Sequence, residues 1–246
     1  MLHTLRNPSP FYSIQRFFWI AVDWVYPPSC AVCGAGGQKL CSSCQQQIIP
    51  LDHSTSCLQC DLPNHTSLCP TCQSHPPHFD QLRSFSVYEG VIRQTIHQLK
   101  YHNDLPLADT LSCYLISLFN QAGWDVDLIC AVPLSSQKQR QRGYNQSALL
   151  AQILAWAVSI PYEKKAIARI RDTRSQVGLN AEERRENVKD AFTANPKLVN
   201  HKVVLVVDDI ATTSATLSAC AKALKEAGAR TVYALTLART IQLEQS

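Results

Sequence analysis

The sequence predicts an α/β fold, a parallel sheet flanked by helices, with a small zinc-ribbon-like module at its amino-terminal side. Three observations carry this. Residues 203–207 form an uninterrupted Val-Val-Leu-Val-Val run, the pattern of a parallel strand buried on both faces. That run passes through Asp208, Asp209 and a hydroxyl-rich turn into an amphipathic helix, and a further strand follows over residues 231–237. Far upstream, four CxxC pairs crowd between Cys30 and Cys72.

Composition sets the limits. With 246 residues, 46% of them hydrophobic and 17% charged, the chain can bury a full core and has room for one α/β domain plus a smaller module. A net charge of +4 admits acidic ligands but is far below that of a dedicated nucleic-acid binder. The longest apolar stretch, residues 17–22, stops at Asp23, and the first residues lack the long apolar core of a signal peptide. The expected location is therefore the cytoplasm, where thiols stay reduced, which makes the 11 cysteines informative.

Residues 1–28 hold a short amphipathic helix over 10–28, with Ile14, Phe17, Phe18, Ala21 and Trp24 near one face and Pro27 and Pro28 at its end. Such a face suits packing on the neighbouring module, or docking at a membrane surface or partner. Residues 29–78 contain an internal duplication: CAVCG then LCSSCQ, and CLQCD then LCPTCQ, with seven and eight residues between the pairs. The ligands are Cys30, Cys33, Cys41 and Cys44, and Cys57, Cys60, Cys69 and Cys72, which predict one or two structural zinc ions in tetrahedral thiolate sites. The pairs can close within each half or interleave in a cross-brace. His53, His65, His75 and His78 lie nearby, but four complete pairs leave them no vacancy. Between Cys30 and Cys72 there is one lysine, Lys39, and no arginine, so this module lacks the electrostatic footprint of a phosphate-backbone binder.

The segment 74–79, with two prolines, marks a boundary, and residues 79–246 form the α/β domain. Within it, residues 82–88 alternate as a strand. Residues 91–104 read as a helix with Ile92, Ile96 and Leu99 on one side and Lys100 at its end, and 105–121 as a second with Leu107, Leu111, Leu115 and Leu118. Residues 127–132 are an apolar strand stopping at Pro133. A polar loop over 134–147 then carries Lys138, Arg140 and Arg142, before a helix over 145–158. Residues 166–171 read as a strand, followed by a polar stretch over 172–192. Cys113, Cys130 and Cys220 sit in apolar surroundings and read as small core residues.

Asp208 and Asp209 fall at the carboxyl end of their strand, where open α/β sheets bind ligands. The turn Ala211, Thr212, Thr213, Ser214, Ala215, Thr216 offers hydroxyls and backbone N–H groups opening into a helix, an anion site by its dipole and unpaired donors. Two carboxylates beside such a turn suit a ligand with a phosphate and either ribose hydroxyls or magnesium. The basic loop over 134–147 suits a second phosphate group.

The stretch from 203 to 216 resembles the signature of type I phosphoribosyltransferases: apolar strand, two acids, an apolar residue and a threonine-rich turn. The run VPL followed by RQRGYNQS, and Arg174, Gln176, Leu179, Arg184, Asn187, Val188 and Phe192 in order, resemble the ComF family of competence-associated proteins. The resemblance implies a type I phosphoribosyltransferase-like domain that binds phosphoribosyl pyrophosphate (PRPP) with Mg2+. Asp208 and Asp209 would hold the ribose, and Ala211 to Thr216 the 5′-phosphate. Pro133, Leu134 and Ser135 with Lys138, Arg140 or Arg142 would hold the pyrophosphate, and the stretch over 172–192 would close as a lid. Ser214 departs from the glycine most common there. It also implies a link to natural transformation, with single-stranded DNA or DNA-uptake proteins as partners. Three functions stay open: a transferase acting on an unidentified base, a non-catalytic PRPP or nucleotide sensor, and an adaptor working through its zinc module.

Overall fold

The computed structural model describes residues 10, 27–101, 104–172 and 180–241. The amino-terminal helix expected over 10–28 lies almost wholly outside the described residues, as do Arg174, Gln176 and Leu179. A four-stranded parallel sheet organises the chain, built from β1 (Gln81–Val87), β2 (Leu128–Ala131), β5 (Val203–Ala211) and β6 (Thr231–Arg239) in the order β1-β6-β5-β2. The apolar run predicted at residues 203–207 is the inner part of β5, which continues through both aspartates to Ala211.

Side chains alternate along these strands. Val203, Leu205 and Val207 of β5, with Ile129 and Ala131 of β2, face a layer that includes α3 (Gly90–Tyr101), α4 (Leu105–Ala122) and α6 (Gln146–Val158). Val204 and Val206, with Leu128 and Cys130, face the other layer, where α9 (Ala215–Glu226) packs. The leucines expected on one side of α4, Leu107, Leu111, Leu115 and Leu118, are all buried.

Two small helices mark the duplication in the cysteine-rich segment, α1 (Ser42–Gln45) and α2 (Pro70–Ser74). The halves straddle the sheet: Cys30, Leu40, Cys44 and Ile48 join the core beside α3 and α4, whereas Cys57, Cys60, Cys69 and Cys72 join the core beside α9. The chain between them runs along β1, where Leu51 N–H donates to the Phe85 carbonyl and Val87 N–H to that of Ile49, both near 3 Å. This covers what would be an open sheet edge. The proline segment is held down as well, with Phe79 buried, His78 N–H donating to Ser218 Oγ, and Asp80 N–H to the Val232 carbonyl.

Three expectations need correction. The polar loop over 134–147 contains a helix, α5 (Ser136–Arg142), capped by Ser135 and ended by Gly143 in the left-handed region; with no apolar face it left no helical period to read. The strand expected at 166–171 is only β3 (Ile167–Arg169), and it pairs antiparallel with β4 (Phe192–Ala194), apart from the main sheet. Cys113 is exposed on α4 rather than in the core, while Cys130 and Cys220 are buried. The polar stretch before β4 includes α7 (Ala181–Val188), with a reciprocal cap between Asn180 and Glu183. The short α8 (Pro196–Val199) leads into β5.

Candidate functional site

The residues of RGYNQS each have a structural task. Gly143 ends α5 in the left-handed region, Tyr144 Oη donates to the Leu99 carbonyl, and Asn145 caps α6 while its amide donates to the Val132 carbonyl. This aims the first turn of α6 at the end of β5. There Ser147 Oγ donates to Asp208 Oδ1 at 2.7 Å, and Gln146 Nε2 donates to Asp209 Oδ2 at 3.1 Å. Arg142 donates to Gln146 Oε1 and to Tyr101 Oη, and lies over the Tyr101 ring.

The helix end read only as a lysine stop supplies the counter-charge. Lys100 Nζ lies 2.8 Å from Asp209 Oδ2, with side chains 17% and 6% exposed. Burial works against the Lys100 ammonium, but the Asp209 carboxylate outweighs it and holds its pKa above the usual value. Desolvation, then the Asp209 charge beside it, pushes Asp208 up to about 7, although the Ser147 hydroxyl pulls the other way. Partial desolvation and the charges of Arg142, Arg169 and Lys100 lower the pKa of Lys138. The predicted acids and bases thus share one electrostatic neighbourhood.

Among the described residues, Asp208 Oδ2 and Asp209 Oδ1 accept no hydrogen bond, because the donors present all engage the other oxygen of each pair. Each acid therefore keeps an acceptor for a ligand hydroxyl.

The two predicted anion loops line two clefts. Thr212, Thr213, Ser214 and Ala215 line one of about 720 Å³, bounded by the second cysteine half, α7 and α9. Pro133, Leu134 and Ser136 line another of about 830 Å³, facing Arg169 and Arg171. Ser136 Oγ donates to Asp172 Oδ2 at 2.6 Å. Ser135 accepts from Lys138 N–H, Arg140 is exposed, and Thr213 Oγ1 accepts from Ala215 N–H. Ser214 adopts φ 59°, the left-handed conformation that glycine takes without cost. Its Oγ accepts from Arg239, which no sequence signal connects to this turn.

The cysteines form two clusters, Cys30, Cys33, Cys41, Cys44 and Cys57, Cys60, Cys69, Cys72, each with sulfurs within 4.8 Å of one another. Pairing therefore closes within each half, not across the halves. The clusters contain cysteine alone; no histidine joins them among the described residues. The Sγ separations of 3.6 Å for Cys33–Cys41 and 3.7 Å for Cys60–Cys69 match the roughly 3.8 Å edge of a tetrahedron with Zn–S bonds of about 2.3 Å. In each half the third cysteine's N–H points at the first cysteine's sulfur, Cys41 to Cys30 and Cys69 to Cys57. Both sets fit zinc.

Residues 21–73 match the Double zinc ribbon domain family, and residues 144–245 match the Phosphoribosyl transferase domain family. The DNA utilization protein YhgH of Salmonella typhi is 34% identical over 209 residues, covering 82% of this chain and 91% of that protein. Competence protein F of Haemophilus influenzae is 31% identical over 207 residues, covering 81% and 90%. Among solved structures, the allosteric regulatory enzyme of purine biosynthesis aligns with a TM-score of 0.38 at 24% identity, over 53% of this chain but only 26% of that longer one. In the described residues no helix is long and apolar enough to cross a membrane. With a double zinc ribbon, a phosphoribosyltransferase-like sheet and full-length relatives above 30% identity, the chain belongs to the ComF family of competence and DNA-utilization proteins.

Proposed function

We propose that the chain binds PRPP with Mg2+ at the carboxyl end of β5 and serves the handling of DNA through that site. The observation that carries this is the acid pair, in which Lys100, Gln146 and Ser147 engage one oxygen of each acid and the other oxygen accepts no hydrogen bond among the described residues. Asp208 and Asp209 accept from the ribose hydroxyls. The backbone of Ala211, Thr212, Thr213, Ser214, Ala215 and Thr216 cradles the 5′-phosphate at the start of α9. Pro133, Leu134 and Ser135 with Lys138, Arg140 and Arg142 receive the pyrophosphate, and Lys138 has no carboxylate within ion-pair distance among the described residues. Mg2+ prefers oxygen ligands and keeps several waters, so the pyrophosphate and these two acids would suit it, and bound there it would neutralise charge on the pyrophosphate. The role in DNA use follows the names of the relatives.

Ionised Asp208 accepts from a hydroxyl more strongly than the neutral acid, and desolvation with the Asp209 charge pushes its pKa up to about 7. The sign follows directly. An acid raised in the fold stabilises it fully at low pH and loses that contribution as pH rises towards the folded value. Ligand binding then releases a proton below about 7, so PRPP·Mg affinity should climb roughly tenfold per pH unit there and level off above. Calorimetry from pH 5.5 to 8.5 tests this against Asp208→Asn, in which that component of the rise should vanish. A rise of the same size in the variant contradicts the assignment. Pyrophosphate release with a panel of nucleobases then separates a transferase from a sensor.

A further inference from the structure

We infer that Arg239 is a positioning residue joining the second zinc ribbon to the phosphate turn, so that metal at Cys57, Cys60, Cys69 and Cys72 and a phosphoribosyl ligand at residues 211–216 bind with positive coupling. The metal-to-turn link stands on geometry alone; the coupling to ligand rests on the PRPP reading above.

Arg239 ends β6 directly beside Ala211, the last residue of β5, and the next N–H, of Thr240, donates to the Ala211 carbonyl. Its position is therefore locked to the point where the turn begins. The residue is 5% exposed. Nη1 donates both to the Cys60 carbonyl at 2.6 Å and to Ser214 Oγ at 3.1 Å, and Nη2 lies 3.7 Å from Cys60 Sγ. One guanidinium thus spans a metal ligand and the residue that gives the turn its shape.

Charge explains why it sits there. A buried guanidinium needs a counter-charge, yet among the described residues no carboxylate pairs with Arg239, and its Nε is buried without a partner. Four thiolates around one Zn2+ leave a net charge of about −2, and the Cys60 sulfur is the nearest part of it. N–H donors to zinc-bound ligands orient those ligands and tune metal retention. Strain explains what the other end does. Ser214 holds a left-handed backbone that its Cβ disfavours, and the Arg239 donor is the side-chain bond that keeps it there. The first ribbon has no equivalent: none of its cysteines approaches a guanidinium among the described residues, and Cys33 is exposed. Since coupling is reciprocal, metal that fixes the turn must itself be held more tightly when the turn is filled.

The test uses the full-length, zinc-loaded protein and follows zinc transfer to a chromophoric chelator. In Arg239→Gln, one of the two zinc equivalents should leave about 10- to 100-fold faster, with the other unchanged. Saturating PRPP·Mg should slow that same equivalent in the wild type and not in Arg239→Gln. Adding Ser214→Gly, where glycine adopts the left-handed turn unaided, should restore PRPP affinity while zinc release stays fast. A protein in which Arg239 only packs would show no such split. Wild-type release of both equivalents from Arg239→Gln overturns the link; should that variant misfold, Arg239→Lys, which keeps the charge but not the paired donors, is judged by the same rates. If calorimetry shows PRPP binding without slower zinc release, the coupling is wrong. If PRPP does not bind at all, the PRPP reading fails and the zinc rates alone decide the role of Arg239.

Discussion

The two zinc ribbons are near copies in sequence and backbone, yet they meet the sheet in different ways. Both have a helical turn with cysteine at its N-cap position, the same N–H to sulfur contact, and a glutamine reaching back to a carbonyl, Gln45 to Leu40 and Gln73 to Leu68. Both also turn through the left-handed region just after the second cysteine, at Gly34 with φ 76° and at Asp61 with φ 63°. There the copies part. Gly34 has open space around it, whereas the Asp61 carboxylate is fully buried and accepts from Ser84 N–H, His53 Nδ1 and Arg83. Gln59 of the same knuckle donates to the Pro77 and Phe79 carbonyls, and its own carbonyl accepts from Leu82 N–H. Among the described residues the first ribbon is seated by apolar packing and one ion pair, Lys39 with Asp104. Duplication therefore supplied two four-cysteine sites, and among the described residues the acid that follows the second cysteine anchors the second of them to β1.

That asymmetry can be broken in steps. Removing a ligand from each ribbon should give the largest effect. Cys69→Ser should cost about 2 kcal/mol more in urea unfolding than Cys41→Ser, because Asp61, Gln59 and Arg239 lose their geometry together with the metal. Equal losses would mean that the polar anchors add nothing. Next, Asp61→Ala should destabilise by about 3 kcal/mol, since it strands Ser84 N–H and Arg83, while Gly34→Ala at the matching position should cost only about 1 kcal/mol of backbone strain. The smallest pair is a control: Gln45→Ala and Gln73→Ala should each cost about 0.5–1 kcal/mol and differ little. A large difference there would place the asymmetry in the ribbons themselves rather than in their anchors.

How much of this could be read beforehand depended on whether the signal was local. The β-branched run of β5 and the four CxxC pairs are contiguous patterns, and both identify their structures directly. Lys100, Gln146 and Ser147 meet the acids only because two helices converge on one strand end, and a lysine at a helix end carries no mark of its distant partner. Arg239 lies two residues beyond the strand expected at 231–237, and its partners are 25 and 179 positions away. Helix α5 was hidden by its own composition, SQKQRQR, which has no apolar period. Asp61 carries no sequence mark of its burial, because the Ser84 N–H that it accepts from lies 23 positions away on β1.

The most direct test of the central claim is a calorimetric titration of PRPP with Mg2+ into the wild-type protein and into Asp208→Asn/Asp209→Asn, with circular dichroism confirming an intact fold in both. One saturable site in the wild type, weakened about 100-fold or more in the double variant, is the predicted result. Equal affinity in the two proteins, or no binding to the wild type, would contradict a phosphoribosyl site at the end of β5.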